Sequence, residues 1–339
     1  MDISEAINKK YITVLDPSAD YEFQDPTEFF TKFWKDGLEV GLVAKNEFGK
    51  VHYRSFSAPK DANHPEYFTN FVQMASEFDV KVHAFLHSFG DAFLGQDPNY
   101  TSLKSSGERV PEFVCPTNTS FWKYMASIAK EVSRHNVSSI ILNEHYFPRI
   151  GFCMCRRCKV EMRHITGGQE IYSLEDIISD ENLMFKYINW RSGTINSALA
   201  EIVDTVHSEK PNLPVYAIFP LDPVVEWFTG AAMHLGFDIN LVANTLNGII
   251  INMMPWSPMY PTQGSNDWNQ LARRLALIRE QHPKLLISLM LGNLDQEWDT
   301  DWFESLAEAA GITTIFGSMT NTRLFNIKRE IHRGIVQNY

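Results

Sequence analysis

The four cysteines of the chain have the spacing of a metal site. Cys153, Cys155 and Cys158 lie within six positions of one another, and Cys115 is the only other cysteine among the 339 residues. Thiolates are strong zinc ligands, and structural zinc sites are usually tetrahedral with protein filling all four positions. We therefore predict a structural zinc ion held by the four cysteines. A catalytic zinc ion would need an open coordination position for water. The alternative without a metal is that the four thiols are unrelated to one another.

A second candidate for chemistry is the Asn143-Glu144 pair, which directly follows the short apolar run Ser139–Leu142. A carboxylate at the end of a buried strand suits general acid/base catalysis, because its surroundings can tune proton transfer to the working pH. The neighbouring amide can hold a substrate hydroxyl near the reacting centre. The alternative is an ordinary glutamate paired with an arginine of the following loop. We take Glu144 as the centre of the predicted site.

Strand-like and helix-like runs alternate along the chain, and these elements must position the candidate residues. Short apolar or alternating runs predict strands, whereas apolar residues at a period near 3.6 predict helices. Eight alternations favour a (β/α)8 TIM barrel in a single domain over residues 1–339, with the active-site face at the carboxyl ends of its strands. The predicted strands are Tyr11–Asp16, Val40–Ala44, Val80–Phe89, Ser139–Leu142, Pro214–Pro220, Gly248–Trp256, Lys284–Leu291 and Ile312–Ser318.

A long polar segment, Gly90–Thr117, lies between the third and fourth predicted strands. We expect it to be irregular, and loops of that kind are uncommon in compact domains unless they are functional. It carries Cys115, and in a barrel it neighbours the loop that carries the other three cysteines. We therefore expect the zinc ion to join residues 90–118 to residues 145–165.

The charge and hydropathy of the chain argue against several classes of partner. A formal net charge of −11 gives no basic surface for a nucleic-acid backbone. The N-terminus has no charged-then-apolar signal segment, and no apolar run approaches the roughly 18 residues that span a bilayer. We expect a soluble cytoplasmic protein without a nucleic-acid or membrane partner. A homo-oligomer is compatible with the sequence, which shows no interface.

The stretch from Val114 to Cys158 resembles a known enzyme family. It resembles the fourth-strand region of family 42 β-galactosidases in five features. These are a strand, the Asn143-Glu144 pair, an aromatic-rich loop, the Cys-x-Cys-x-x-Cys cluster and the upstream Cys115-Pro116 that opens a helix. That family belongs to the retaining (β/α)8 glycoside hydrolases. The resemblance implies a carbohydrate substrate, Glu144 as the acid/base, Asn143 as a substrate-binding residue and structural zinc on the corresponding cysteines.

One carboxylate of that family has no counterpart here. A retaining enzyme needs a nucleophile about 5 to 5.5 Å from the acid/base, and at the end of the seventh strand this chain has Gly292-Asn293 instead. Asp222, at the end of the predicted fifth strand, is our preferred second carboxylate. It would act as the nucleophile, or as the base of an inverting mechanism with the carboxyl groups roughly 6.5 to 9.5 Å apart. Weaker alternatives are the acids of the loop after the seventh strand (Asp295, Glu297 and Asp299) and Glu47.

Polar and aromatic residues at the predicted strand outlets are candidate substrate contacts, because aromatic faces offer sugar rings a flat apolar platform. These candidates are His87, Asn143, Tyr146, Trp256 and Tyr260. The resemblance implies a glycoside hydrolase, in which we expect Glu144 as the proton donor and Asp222 as the second carboxylate. The alternative is a carbohydrate-binding or regulatory barrel with a structural zinc that has lost catalysis, and the missing seventh-strand glutamate favours it.

Overall fold

Eight parallel strands close into a barrel in the computed structural model of the protein. The structure describes residues 10–18, 25–33, 37–148, 151–168, 173–221, 227–253, 266–291 and 300–318. The strands of the chain are β1 (Lys10–Leu15), β2 (Glu39–Lys45), β3 (Lys81–His87), β4 (Thr101–Leu103), β5 (Arg109–Val114), β6 (Ser139–Asn143), β7 (Val215–Pro220), β8 (Gly248–Asn252), β9 (Leu286–Leu291) and β10 (Thr314–Ser318). All but β4 and β5 belong to the barrel, in chain order around it. The predicted (β/α)8 TIM barrel is confirmed.

Helices connect successive strands of the barrel. They are α1 (Pro26–Phe33), α2 (Tyr67–Glu77), α3 (Ala92–Gly95), α4 (Thr119–Ser133), α5 (Arg156–Ile165), α6 (Leu174–Ile178), α7 (Glu181–Glu209), α8 (Trp227–Gly230), α9 (Ile239–Val242), α10 (Asn266–Gln281) and α11 (Thr300–Ala309). A π-helical turn over Ala231–Leu235 follows α8. None of the described helices is both long enough and apolar enough to cross a membrane.

The helix α4 shows how the sequence delivers the chain to the fourth barrel strand. Asn118 caps its N-terminus, where the side-chain oxygen accepts from the backbone N–H groups of Ser120 and Phe121. Apolar residues at helical spacing, such as Phe121 and Met125, are buried on the side of the helix that faces the barrel. A short turn then leads into β6, whose last residue is Asn143. The capped, amphipathic helix therefore fixes where the Asn143-Glu144 pair enters the fold.

Apolar side chains fill the interior of the barrel. Seven strands each contribute one residue to a buried interior cluster, which consists of Ile12, Val43, Phe85, Ile141, Ile218, Ile250 and Phe316. Gly41 makes room for one of them, because a Cβ atom at this position would lie 2.6 Å from the ring of Phe85. The barrel is thus a packed core without a pore, and any site must lie at one of its ends.

A polar cluster lies at the amino-terminal end of the barrel. His83 Nε2 lies 2.9 Å from Glu39 Oε2, and His83 Nδ1 lies 2.8 Å from Ser139 Oγ. Glu39 also pairs with Lys10 and with Lys81. Burial opposes the ionisation of Glu39, but hydrogen bonds from His83 and Lys10 outweigh it and lower the pKa of Glu39 to about 2. His83 is therefore a buried, hydrogen-bonded residue far from the carboxyl ends of the strands.

The segment Gly90–Thr117 is more regular than we expect from its sequence. It contains α3 and an antiparallel hairpin of β4 and β5. The side chain of Asp91 caps α3 by accepting from the backbone N–H of Leu94. Gly95 lets the backbone of Pro111 approach, since a Cβ atom there would lie 2.2 Å from the Pro111 carbonyl oxygen. The prediction of an irregular loop was wrong because β4 has only 3 residues, too few for a visible alternation. The single domain over residues 1–339 stays a prediction.

We expect the Glu39 cluster to give the fold an acid-sensitive part of its stability. A carboxyl group whose pKa is lowered by folding stabilises the native state above its unfolded pKa, and that stabilisation is lost as the pH falls through its folded pKa. For Glu39 the window runs from the ordinary glutamate pKa of 4.5 down to about 2. Glu39→Gln should therefore lower the free energy of unfolding at pH 7 by about 3 kcal/mol. The difference from the wild type should disappear near pH 2.

Urea unfolding at a series of pH values measures this effect. Glu28→Gln is a matched control, because Glu28 is an exposed residue of α1 paired with Lys32. Equal acid dependence in the wild type and Glu39→Gln would contradict the prediction.

Candidate active site and cysteine cluster

The candidate active site lies where β2, β3 and β6 end. These strands are neighbours in the barrel, and the last residue of β3, His87, pairs in register with the last residue of β6, Asn143. Because parallel strands place their carboxyl ends at the same edge, the residues that follow them meet at one rim of the barrel. This rim brings together His87, Asn143 and Glu144, as the sequence predicts.

Glu144 adopts an unusual backbone conformation. Its φ is +53°, which is the left-handed region that side chains other than glycine rarely occupy. Three hydrogen bonds hold the turn, and the first joins the Glu144 N–H to Asn143 Oδ1 at 2.9 Å. The carbonyls of Asn143 and Glu144 accept from the N–H groups of Ser88 and Phe89 at 2.8 and 3.2 Å. Strain of this kind costs about 1–3 kcal/mol and is concentrated at functional sites.

His87 holds the carboxylate of Glu144. Its Nδ1 lies 3.2 Å from Glu144 Oε2, and its Nε2 lies 3.4 Å from Asn143 Nδ2. Since an amide nitrogen only donates, these contacts assign Nε2 as the acceptor and Nδ1–H as the donor to Glu144. The side chains of His87 and Glu144 are 16% and 27% exposed, so the carboxylate is oriented and still reachable from solvent. Asn143 and His87 thus position Glu144, and their predicted contacts with substrate stay predictions.

Gly90 makes the space that the Glu144 carboxylate occupies. A Cβ atom at position 90 would lie 1.8 Å from Glu144 Oε2 and 2.8 Å from its carboxyl carbon. No side chain larger than hydrogen fits without moving the carboxylate. Our sequence reasoning missed this residue, although a glycine directly after the end of the predicted third strand was a visible signal.

A buried ion pair lies beside Glu144. Lys45 Nζ is 3.0 Å from Asp91 Oδ2, and both side chains have no exposed surface. The same ammonium donates to the carbonyl of His87 at 2.8 Å. Burial lowers the pKa of Lys45, against the attraction of Asp91 and then of Glu144 and Glu47. The sequence analysis missed this pair, since nothing in the pattern shows that Lys45 at the end of an apolar strand meets an aspartate 46 positions later.

The remaining predicted residues divide into two groups. Tyr146 is half-buried near Glu144, and its pKa is raised by burial and by the charge of Glu144. The others lie outside the described residues and stay predictions; they are Asp222, Trp256, Tyr260, Asp295, Glu297 and Asp299.

The four cysteines come together in one cluster that could hold a metal ion. Their sulfur atoms all lie within 4.8 Å of one another. Cys115 Sγ lies 3.4 Å from Cys158 Sγ and 3.6 Å from Cys155 Sγ, too far for a disulfide bond of about 2.05 Å. In the part of the chain that the structure describes, no other group of three or more Cys, His, Asp or Glu side chains converges in this way.

Hydrogen-bond donors surround the cysteine cluster, as suits thiolate ligands. The backbone N–H of Leu103 donates to Cys153 Sγ at 3.2 Å, and Thr117 Oγ1 lies 3.1 Å from Cys115 Sγ. Hydrogen bonds from the other three cysteines, Cys115 first, hold the pKa of Cys155 well below its usual range. The cluster joins the hairpin after β3 to the start of α5 after β6, which are the two loop regions that the sequence predicts to be joined.

Two comparisons by sequence give no match for this chain. No protein-family model matches it. No curated protein matches it either.

The fold is similar to that of solved glycoside hydrolases. One is the PgaB (BpsB) glycoside hydrolase domain from Bordetella bronchiseptica, with a TM-score of 0.66 and 13% identity over 91% of this chain and 93% of that chain. Another is the catalytic domain of β-amylase from Paenibacillus polymyxa, with a TM-score of 0.64 and 11% identity over 92% of each chain. A third is a GH42 β-galactosidase from G. stearothermophilus, in a catalytic mutant form, with a TM-score of 0.65 and 13% identity over 92% of this chain.

The three solved structures differ in how much of their own length this chain covers. This chain spans nearly all of the first two domains but 51% of the β-galactosidase. At 11–13% identity, these matches show similarity of the fold alone. At the level of the fold the resemblance to glycoside hydrolases is confirmed, and this chain has the (β/α)8 barrel found in those enzymes.

Proposed function

We propose that this protein is a glycoside hydrolase with a carbohydrate substrate and with Glu144 as its general acid/base. The observation that carries the proposal is the placement of Glu144. Its carboxylate lies at the carboxyl end of a barrel strand, on a left-handed residue, fixed by His87 and fitted against Gly90. The similar folds of three glycoside hydrolases support the substrate class.

The chemistry follows from this placement. A glycosidase must protonate the glycosidic oxygen as the bond to the anomeric carbon breaks, and its transition state resembles an oxocarbenium ion. The Glu144 carboxyl group, 27% exposed and oriented by one N–H donor, can deliver a proton along one direction. His87, Asn143 and Tyr146 surround it and are our proposed sugar contacts. Trp256 and Tyr260 are proposed as aromatic platforms further along the rim.

The second carboxylate required by a glycosidase is a separate question. Asp222 follows β7, the strand next to β6, and it is the candidate that the sequence favours. Its position lies outside the described residues, so its role stays a prediction.

A second candidate function is a carbohydrate-binding or regulatory barrel without catalysis. The observation in its favour is Gly292-Asn293 at the position where the resemblance to family 42 enzymes requires a glutamate. Such a protein would keep the fold and the cysteine cluster and would bind sugar without cleaving it.

We further propose that the cysteine cluster binds a structural zinc ion. Tetrahedral zinc with Zn–S bonds of about 2.3 Å places its sulfur ligands about 3.8 Å apart. The separations of 3.4 to 3.6 Å among Cys115, Cys155 and Cys158 fit this donor set. A zinc ion there would cross-link two loops and leave no coordination position open for catalysis.

Glu144→Gln should lower kcat/KM for a nitrophenyl glycoside by about 10²-fold or more, because general acid catalysis typically contributes 10²–10⁴-fold. The loss should be smaller for a dinitrophenyl glycoside, whose leaving group needs little protonation. The measurement is release of the phenol over a panel of sugars. Glu108→Gln, a change to an exposed hairpin residue paired with Lys104, is the control and should keep wild-type rates. Wild-type rates in Glu144→Gln would remove Glu144 from the mechanism.

Gly90→Ala should lower kcat by about 10-fold or more, because the new methyl group must push the Glu144 carboxylate away from His87. Misplacement of a catalytic group by about 1 Å can cost up to 10²-fold in rate. Gly193→Ala is the control, since a Cβ atom in that helical position meets nothing within 4 Å. If Gly90→Ala loses kcat as expected and unfolds at the same temperature as the wild type, the substitution acts on the geometry of the site and not on the stability of the fold. Unchanged kcat in that variant would mean that the carboxylate does not need the space at Gly90.

The zinc proposal predicts one equivalent of zinc in the purified protein and four sulfur ligands by X-ray absorption. Cys158→Ser should lose the metal and lower the free energy of unfolding by on the order of 3 kcal/mol. Thr117→Val removes a hydroxyl that contacts Cys115 and Cys158 but keeps all four thiols, so it should retain the metal. An oxygen or nitrogen ligand in the spectrum of the wild type would instead favour a zinc-dependent hydrolase.

A further inference from the structure

Glu47 lies on the same rim of the barrel as Glu144. It follows the end of β2 by two residues, and its carbonyl accepts from the backbone N–H of Ala92 at 2.9 Å. In the barrel β2 pairs with β3, and β3 pairs with β6. Neighbouring strands lie about 4.8 Å apart, so the ends of β2 and β6 are separated by about 10 Å. Glu47 and Glu144 therefore leave the barrel at the same end with one strand between them.

The ammonium of Lys45 connects the two glutamates electrostatically. It is fully buried, and it is engaged by Asp91 and by the carbonyl of His87. The charges of Glu144 and Glu47 both act on Lys45, which places both carboxylates within electrostatic reach of the same buried group. The carboxylate of Asp91 is engaged in this ion pair and in the cap of α3, so it is not available to a substrate.

The carboxylate of Glu47 has an oxygen atom without a partner. Glu47 is half-buried, and its Oε2 is shielded from solvent and makes no hydrogen bond among the described residues. An unsatisfied buried polar atom is costly, and a catalytic role or a bound water is a common reason for one. Glu47 belongs to no converging set of metal ligands in the described part of the chain.

From this geometry we propose that Glu47 is the second catalytic carboxylate, acting as the base of an inverting glycoside hydrolase. This inference rests on the proposed function and completes it with a described residue in place of Asp222. Strand ends about 10 Å apart are compatible with the carboxyl separation of an inverting enzyme, roughly 6.5 to 9.5 Å, which leaves room for a water molecule.

The reaction needs no reagent besides water. Glu47 takes a proton from the water molecule as the water oxygen bonds to the anomeric carbon. Glu144 gives its proton to the glycosidic oxygen as the bond from that oxygen to the anomeric carbon breaks. Glu47 is then protonated and Glu144 ionised, and exchange with solvent restores both. The sugar leaves with its anomeric configuration inverted.

The test compares Glu47→Gln, Glu144→Gln, Asp222→Asn and the control Glu108→Gln on nitrophenyl and dinitrophenyl glycosides, with the first-formed anomer followed by proton NMR. Glu47→Gln should lose about 10²-fold or more on both leaving groups, because activation of water is needed in either case. Glu144→Gln should be less impaired on the dinitrophenyl substrates. The wild type should release the inverted anomer, and Asp222→Asn should lose less activity than Glu47→Gln.

Azide gives a second, independent readout. In Glu47→Ala, sodium azide should replace the activated water, restore turnover of dinitrophenyl glycosides and yield a glycosyl azide of inverted configuration. Circular dichroism and thermal unfolding of Glu47→Gln and Glu47→Ala show whether both variants fold. If either does not, Glu47→Asp, which keeps a carboxylate on a shorter side chain, should retain partial activity.

Each contrary result has a distinct meaning. Activity retained in Glu47→Gln, or lost in Asp222→Asn alone, would overturn the role of Glu47 and leave the glycosidase intact. A retained anomer in the wild type would also overturn it. Wild-type protein that hydrolyses nothing in the panel would count against the proposed function itself, and the role of Glu47 would fall with it.

Discussion

The buried ammonium of Lys45 is the interaction on which the rim of the barrel depends. It ties the end of β2 to the carbonyl of His87 on β3 and to Asp91 in the next loop. Asp91 in turn caps α3 and packs against Gly49, where a Cβ atom would lie 2.2 Å from Asp91 Oδ1. Desolvation offsets most of the attraction in a buried ion pair, so its net stabilisation is small, but removing one partner costs about 3–5 kcal/mol. We infer that the pair is kept because it fixes the geometry around His87 and Glu144.

The two ends of the barrel carry similar residue types with different uses. Ser139, His83 and Glu39 at the amino-terminal end have the contacts of a serine-histidine-carboxylate triad, with distances of 2.8 and 2.9 Å. Ser139 is completely buried, so no substrate can reach its hydroxyl. Polar groups at this end of a TIM barrel serve stability, and catalysis belongs to the other end. At that other end Glu144 is partly exposed, strained and oriented, as its proposed role as general acid/base requires.

The sequence predicts the features that depend on local pattern. Period-2 and period-3.6 apolar runs give the eight strands and the helices between them, and the spacing of Cys153 to Cys158 gives the cysteine cluster. Glu144 is visible because it directly follows an apolar strand. Gly90 is visible only as a glycine after a predicted strand. Its role and that of Asp91 arise from contacts with Glu144 and Lys45 at sequence separations of about 50 residues, which no local pattern encodes.

The cysteine cluster and the candidate active site are joined by one short piece of chain. Cys115 directly follows β5, and β5 returns to the site, where Val114 donates to the carbonyl of Phe89 at 2.9 Å and Gly90 bridges to Phe113. Gly90 is the residue that leaves space for the Glu144 carboxylate. Whatever fixes Cys115 therefore also fixes the backbone against which that carboxylate packs. A structural metal on the cysteines would act on the proposed catalysis through the precision of this backbone, and its effect would appear in the turnover rate as well as in stability.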